Sequence, residues 1–312
     1  MKVAAIQMAS GPQVVANLSE AARHIGKAAA GSALKVAEVN RKERKRRPSP
    51  PFITSTLQQE AARKLGFTTK KTMQVAQKLY EGVNIGEEGT VGLISYMRTD
   101  STSLSGEALG QLREVIAREF GKHNVPAEAN VYKSKSKNAQ EAHEAIRPTF
   151  AGRTPAQIGK YLSDDERRLY DLIWKRAVAC QMIPATLNTV SVELAAGAQH
   201  GFRATGTTVV DPGFLLVYEE GKDQKDVEDD EANTKLPALQ EGQAVALDGI
   251  DSEQHFTKPP PRYTEASLVK ELEANGVTLK DLEFTDDSLK AIIRNYTREA
   301  GVRSLEREIS KI

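Results

Sequence analysis

The sequence predicts an α+β, multidomain chain, and three observations predict it. Amphipathic segments with a period near 3.6 residues, each opened by a capping residue, fill the stretch from residue 55 to about residue 185. After Pro184 the apolar period switches to 2. The length of 312 residues exceeds the roughly 150 of a typical single domain.

In chain order, KVAAIQMAS is an apolar run of strand length, and LSEAARHIGKAAAGS is an Ala-rich helix ended by Gly31, so residues 1–33 read as a strand and a helix. RKERKRR at 41–47 sets six basic residues against one acidic, and PSPP at 48–51 cannot continue a helix, which predicts a linker or an exposed strand end. Ser55 and Gln58 have capping-box spacing before Leu57, Ala61, Ala62 and Leu65 on one face. Ser105 can cap a helix carrying Leu109, Leu112, Ile116 and Phe120 and stopped by Gly121. Ser163 and Glu166 form a second box before RRLYDLIWKRAVACQM. Beyond Pro184, Val190, Val192 and Leu194 alternate with Thr189, Ser191 and Glu193, and FRATGTTVV, FLLVYEE and GQAVALDGI follow as further antiparallel strands. The acidic GKDQKDVEDDEAN reads as a solvated loop and not as a cation site. Helices are expected near Thr264 and near Asp286, the second with Leu289, Ile292, Ile293 and Tyr296 on one face.

Composition excludes several classes. With 43 Lys+Arg against 42 Asp+Glu the net charge is +1, so overall charge gives no reason to expect a polyanionic partner, and charge has to be read locally. No apolar run approaches the roughly 18 residues of a membrane span, so no membrane partner is expected. The single cysteine, Cys180, excludes an intramolecular disulfide framework and a Cys-rich zinc site. The opening MKVAAIQMAS lacks the apolar core of a signal peptide, and the expected compartment is the cytoplasm.

The segment richest in chemistry is GLISYMRTDST, residues 92–102, in which an apolar strand ends at Tyr96 and is followed by Arg98, Asp100 and hydroxyl residues. A phenol, with a reference pKa near 10, is a poor nucleophile at neutral pH unless a cation stabilises its anion. Arginine is a permanent cation and a bidentate phosphate ligand, so the pair suits phosphoryl transfer to tyrosine. The alternative is a core tyrosine with Arg98 and Asp100 paired on the surface. In NAQEAHEAIRP, residues 138–148, His143 and Arg147 are four apart and share a face if the segment is helical, with Glu141 and Glu144 close by. His143 is then either a phosphate ligand or proton carrier, or a surface histidine held by carboxylates. Lys133, Lys135 and Lys137 alternate in YKSKSKN, as a basic edge that could follow a phosphate backbone or as a solvated charge run.

PFITSTLQQEAARKLGF (51–67), GLISYMRTDST (92–102), NAQEAHEAIRP (138–148) and RYTEASLVKELEANGV (262–277) together resemble, in order and spacing, the bacterial type IA DNA topoisomerase I family. The resemblance spans about residues 34–277. It implies a β-rich antiparallel arch domain (34–54 and 186–277) with an inserted, mainly helical domain (55–185) that carries the tyrosine. It implies Tyr96 as the nucleophile that retains a 5′ phosphate, Arg98 as the group stabilising phosphate or phenolate charge, and His143 as a ligand of a neighbouring phosphate. Arg147, Lys133, Lys135 and Lys137 would join the DNA-binding surface, with Asp100 and Glu144 in supporting roles. Single-stranded DNA is the implied partner. The chain itself is expected to bind no cofactor: the family's Mg2+ belongs to a separate acidic Toprim domain that precedes the matched region, and no P-loop GxxxxGK[ST] is present. The missing metal-binding and DNA-binding domains would then be partners in trans.

The flanks resemble other families. Residues 1–33 resemble the start of a nitrilase-type hydrolase without its catalytic triad, and residues 278–312 resemble the helical lid of the Lon protease ATPase. The whole reads as a chimera: a topoisomerase fragment, or alternatively a non-enzymatic structural protein with no DNA activity.

Overall fold

The computed structural model describes residues 34–132, 144–196, 200–221, 236–246 and 263–275. The readings of residues 1–33, of the acidic loop, of the helix near Asp286 and of the flank 278–312 lie outside the described residues. The chain divides into two compact units, one over 1–46, 186–211 and 228–258, the other over 47–185, 212–227 and 259–312.

The first unit is a four-stranded sheet. Its strands are β1 (Leu34–Arg46), β4 (Ala185–Ala196), β5 (His200–Asp211) and β6 (Ala244–Val245), in the order β5-β4-β1-β6. β4 and β5 form an antiparallel hairpin in register from Ala196↔His200 to Thr186↔Asp211, with an irregularity between Thr186 and Leu187. The period-2 pattern sends Val192 and Leu194 inward to a small core with Val36 and Leu239. The basic stretch is strand up to Arg46, and it is exposed from Asn40 to Lys45.

The second unit holds all six helices among the described residues: α1 (Thr54–Leu65), α2 (Thr69–Glu81), α3 (Gly106–Glu119), the single turn α4 (Pro155–Ile158), α5 (Asp164–Ala179) and α6 (Glu265–Ala274). It also carries a small hairpin of β2 (Val83–Asn84) and β3 (Thr90–Val91). α5 is the hub. Ser163 and Glu166 make the reciprocal capping box expected of them, and Leu169, Tyr170, Ile173, Ala177 and Val178 bury its inner face. Trp174, the chain's one tryptophan, is buried and donates its indole N–H to Ala151 O at 2.9 Å. Ser105 caps α3 by accepting from the Ala108 N–H. Cys180 is fully buried beyond the end of α5, and burial pushes its thiol up to about 12, which makes it a packing residue and not a nucleophile.

Two local expectations are corrected. Ser55 does not cap α1: the cap is Ile53, two residues earlier, whose N–H donates to Thr56 Oγ1 at 3.0 Å, and Ser55 is buried. FLLVYEE is not a strand. Gly213 takes a positive φ of 46°, and a Cβ there would lie 2.6 Å from Pro184 O, so only glycine lets the chain turn against that carbonyl. The turn opens a short 3-10 helix, Gly213–Leu216, and Phe214 and Tyr218 are buried in the helical core. Of GQAVALDGI, the described strand is Ala244–Val245 alone.

Candidate active site

Residues 92–105 leave the small hairpin and cross the helical unit to the start of α3. Leu93 N–H donates to Leu79 O at 2.7 Å, placing the segment against the C-terminal end of α2. On its other side run residues 144–149. Ile94 bridges Pro148, Ser95 N–H donates to Arg147 O at 2.9 Å, and Thr149 N–H donates to Leu93 O at 3.0 Å. Ile146 bridges Phe52 in turn. Residues 144–148 are therefore extended and not helical; whether His143 shares a face with Arg147 lies outside the described residues. Pro148 supplies part of the reason, since the residue before a proline is pushed out of the helical region.

Past Ser95 the chain alternates. Tyr96 and Arg98 are exposed, while Met97 (1%), Thr99 (5%) and Ser101 (4%) are buried. The inward hydroxyls stabilise this alternating course: Ser101 N–H donates to Thr99 Oγ1 at 3.1 Å, and Ser103 N–H donates to Ser101 Oγ at 3.2 Å. The sequence TDSTS thus encodes successive side-chain turns that present Tyr96 and Arg98 on the outer side. Asp100 occupies the next alternate position and is half-buried.

Tyr96 is not a core tyrosine, being 46% exposed. Its ring meets that of Tyr80, at the end of α2, edge to face at a centroid distance of 5.3 Å, and Tyr80 is 41% exposed. Sequence reasoning missed Tyr80, because nothing in its helix marks it as a neighbour of a residue on a later segment.

Glu144 and Arg147 come together. Glu144 accepts from Ser105 N–H at 2.7 Å and, through its other oxygen, from Arg147 Nε at 3.0 Å and from Arg147 Nη2. Arg147 also donates to Pro148 O at 3.0 Å. Three of the five N–H donors of an arginine are thereby used within the protein, which makes Arg147 first a brace between its segment and the start of α3. His143, Lys133, Lys135 and Lys137 lie outside the described residues.

Burial pushes the Glu144 carboxyl up, but the hydrogen bonds from Ser105 and Arg147 outweigh it and hold its pKa below the ordinary glutamate value. A group depressed in the folded state contributes stability above its unfolded pKa and loses it as pH falls through the folded one. Thermal unfolding followed over an acid pH series should therefore show the unsubstituted chain losing more stability below pH 4.5 than Glu144→Gln does. Parallel curves for the two proteins would show that the carboxylate contributes nothing there.

A family model described as DNA topoisomerase matches residues 6–279, and one described as the Lon protease AAA+ ATPase lid domain matches residues 273–312. The first match reaches back well before residue 34, so it does not share the boundary drawn there from the sequence resemblance. The chain is 65% identical over 257 residues to DNA topoisomerase 1 of Xylella fastidiosa strain Temecula1, covering 82% of this chain and 31% of that protein. It is 51% identical over 243 residues to DNA topoisomerase 1 of Rickettsia bellii, covering 78% of this chain and 30% of that protein. Among solved structures, full-length topoisomerase I from Thermotoga maritima matches with a TM-score of 0.68 and 32% identity, over 93% of this chain and 50% of that one. The chain thus spans under a third of the length of these curated relatives.

Proposed function

The chain belongs to the DNA topoisomerase family whose model matches residues 6–279, and on that basis we propose that it is the strand-cleaving part of a type IA enzyme, a DNA-gate fragment with Tyr96 as nucleophile. The observation that carries this reading is the alternation at 96–101, which exposes Tyr96 and Arg98 and buries Met97, Thr99 and Ser101. In this reading the Tyr96 oxygen, freed of its proton, attacks a DNA phosphorus. A tyrosine–phosphate bond forms, the bond to the 3′ oxygen breaks, and that oxygen leaves with a proton while the 5′ phosphate stays on Tyr96. One phosphodiester replaces another, so rejoining by the 3′ hydroxyl needs no nucleotide. Arg98 neutralises charge on the phosphate or the phenolate. The exposed Tyr80–Tyr96 pair offers faces on which bases of a single strand can stack. Lys133, Lys135, Lys137, His143 and the remaining donors of Arg147 extend the phosphate contacts, with Asp100 and Glu144 supporting.

The sheet unit corresponds in this reading to the arch, and the helical unit to the inserted tyrosine-bearing domain; the change of compact unit after Ala185 supports the assignment, whereas residues 47–54, 212–227 and 259–277, assigned to the arch from the sequence, group with the helical unit. In this reading residues 278–312 are an appended element of a chimera, which the lid-domain match to residues 273–312 supports; for residues 1–33 the same reading has no such support, because the topoisomerase match begins at residue 6. Cytoplasmic DNA is the substrate; among the described residues no helix is long and apolar enough to cross a membrane. Magnesium is implied by the family. Among the described residues no group of three or more His, Cys, Asp or Glu is placed to hold a metal ion, so these residues do not fit one and no step above runs through it. In this reading the ion comes with the family's separate metal-binding segment.

The test mixes the purified chain with end-labelled single-stranded DNA and magnesium, quenches with denaturant and looks for label migrating with protein, beside an anisotropy titration at several salt concentrations. Binding that weakens with salt, without an adduct, is expected of a gate fragment whose nucleophile awaits its partner domain. Tyr96→Phe should bind as the unsubstituted chain does. An adduct retained by Tyr96→Phe would overturn the nucleophile assignment, and an absence of salt-dependent binding would favour the non-enzymatic reading.

A further inference from the structure

We propose that Thr54, the first residue of α1, is a positioning residue that fixes the direction in which Arg98 faces. The inference rests on the reading of Arg98 as a phosphate ligand. Thr54 Oγ1 lies 2.8 Å from Met97 O and 3.0 Å from Thr99 O, so its one hydroxyl proton is shared between two carbonyls. The same oxygen accepts from Thr99 N–H at 2.8 Å, and Thr54 N–H donates to Thr99 O at 2.9 Å.

These bonds fall on the peptide groups that flank Arg98. Met97 O belongs to the peptide before its Cα, and Thr99 N–H to the peptide after it. A residue has two soft backbone torsions, and holding both adjoining peptide planes removes both. Residues 97 and 98 form a bend outside regular strand, so Thr54 supplies there the anchoring that a neighbouring strand supplies elsewhere. Threonine suits the task because branching at Cβ restricts χ1, which keeps the hydroxyl aimed at one place. The bond from Thr54 N–H also satisfies one of the orphan donors at the start of α1. Thr54 is half-buried and has no part in the proposed chemistry. Its effect passes through the backbone to Arg98, which therefore emerges on the side where Tyr96 emerges.

The test is a double-mutant cycle on the full chain, read as the salt dependence of binding to a fluorescent oligothymidylate. Removing one phosphate contact to a single strand lowers the slope of log K against log salt by about 0.7. Arg98→Gln should lower it by about that much in the unsubstituted chain and in Thr54→Ser, but by little in Thr54→Val, which keeps the shape and loses the hydroxyl. An equal loss in all three backgrounds would overturn the proposal. Hydrogen exchange gives a second readout that needs no variant: the Thr99 amide should be protected in the unsubstituted chain as well as core helix amides are. Exchange as fast as in an exposed loop would overturn the proposal even if Thr54→Val failed to fold. Should Arg98→Gln leave the unsubstituted chain's slope unchanged, the phosphate role of Arg98 fails, and Thr99 exchange in Thr54→Ser and Thr54→Val still decides whether Thr54 holds the bend.

Discussion

Glu60→Ala should lower the stability of the helical unit by about 3 kcal/mol, as expected when one partner of a buried charge network is removed. Glu60 is 3% exposed and accepts from the Tyr218 hydroxyl, from Gly221 N–H at 3.0 Å and from Arg63 Nη1 at 3.1 Å. Lys64 Nζ stands 3.9 Å from it and 4.1 Å from the centre of the Tyr218 ring. On the other side of that ring's neighbourhood Arg176, itself buried, donates to Pro50 O at 2.6 Å and to Glu220 at 2.9 Å and lies over both Phe52 and Tyr218. Deleting the Glu60 carboxylate leaves these cations facing one another with one anion fewer. Burial already lowers the pKa of Lys64, and Glu60 is the largest of the charges that raise it again. Trp174 fluorescence during denaturant unfolding reports the unit directly, because the chain has one tryptophan and it is buried there. A shift of the midpoint worth under about 1 kcal/mol would show that water replaces the carboxylate at little cost. Glu60→Gln, which keeps an acceptor for Tyr218 and Gly221, should lose less than Glu60→Ala.

The network also shows what a sequence can and cannot disclose. The caps at Ser105 and Ser163 were legible because a cap and its partner lie within three residues, and a local pattern carries local geometry. The box at Ser55 was misplaced by two residues because Thr54, the true first helical position, is drawn into contact with residues 97 and 99, a tie across more than forty residues. FLLVYEE carries the apolar content of a strand, yet the close carbonyls of Ile183 and Pro184 dictate the turn at Gly213, and no window around it contains them. At the candidate site Tyr96 and Arg98 were legible as a tyrosine with a cation two residues on. Their presentation was not, since it comes from Thr54, from the hydroxyls of Thr99 and Ser101, and from the strand-like partner at 144–149. Glu144 and Arg147 were found as chemistry-bearing residues, but the sequence shows only that they are three apart; that Arg147 is committed to Glu144, and Glu144 to the start of α3, is a fact of packing.

Gly92→Ala should cost about 2 kcal/mol and, in addition, disturb the tyrosine site. A Cβ at Gly92 would lie 2.6 Å from Tyr80 O, a backbone atom at the end of α2 that cannot swing aside as a side chain does. Either the strand or the helix end must therefore move. The strand is held by Leu93 N–H on Leu79 O at 2.7 Å and by Thr149 Oγ1 on Gly92 O at 2.7 Å, so moving it strains or breaks bonds on both sides. Overpacking of this kind costs about 1–3 kcal/mol, and a lost hydrogen bond about 1 kcal/mol. Moving the helix end instead displaces Tyr80, whose ring contact with Tyr96 is worth about 0.5–1.5 kcal/mol beyond its buried area. Both routes shift Tyr80 relative to Tyr96. The expected outcome is a lower unfolding midpoint by Trp174 fluorescence together with weaker binding to single-stranded DNA. In combination with Tyr80→Leu the loss of binding should be less than additive, because each change disrupts the same ring pair. A stability change within about 0.5 kcal/mol would show that the backbone accommodates the methyl group, as surface substitutions away from such contacts do. Full additivity with Tyr80→Leu would show that Gly92 serves the packing of α2 alone and leaves the presentation of Tyr96 to the alternating segment that carries it.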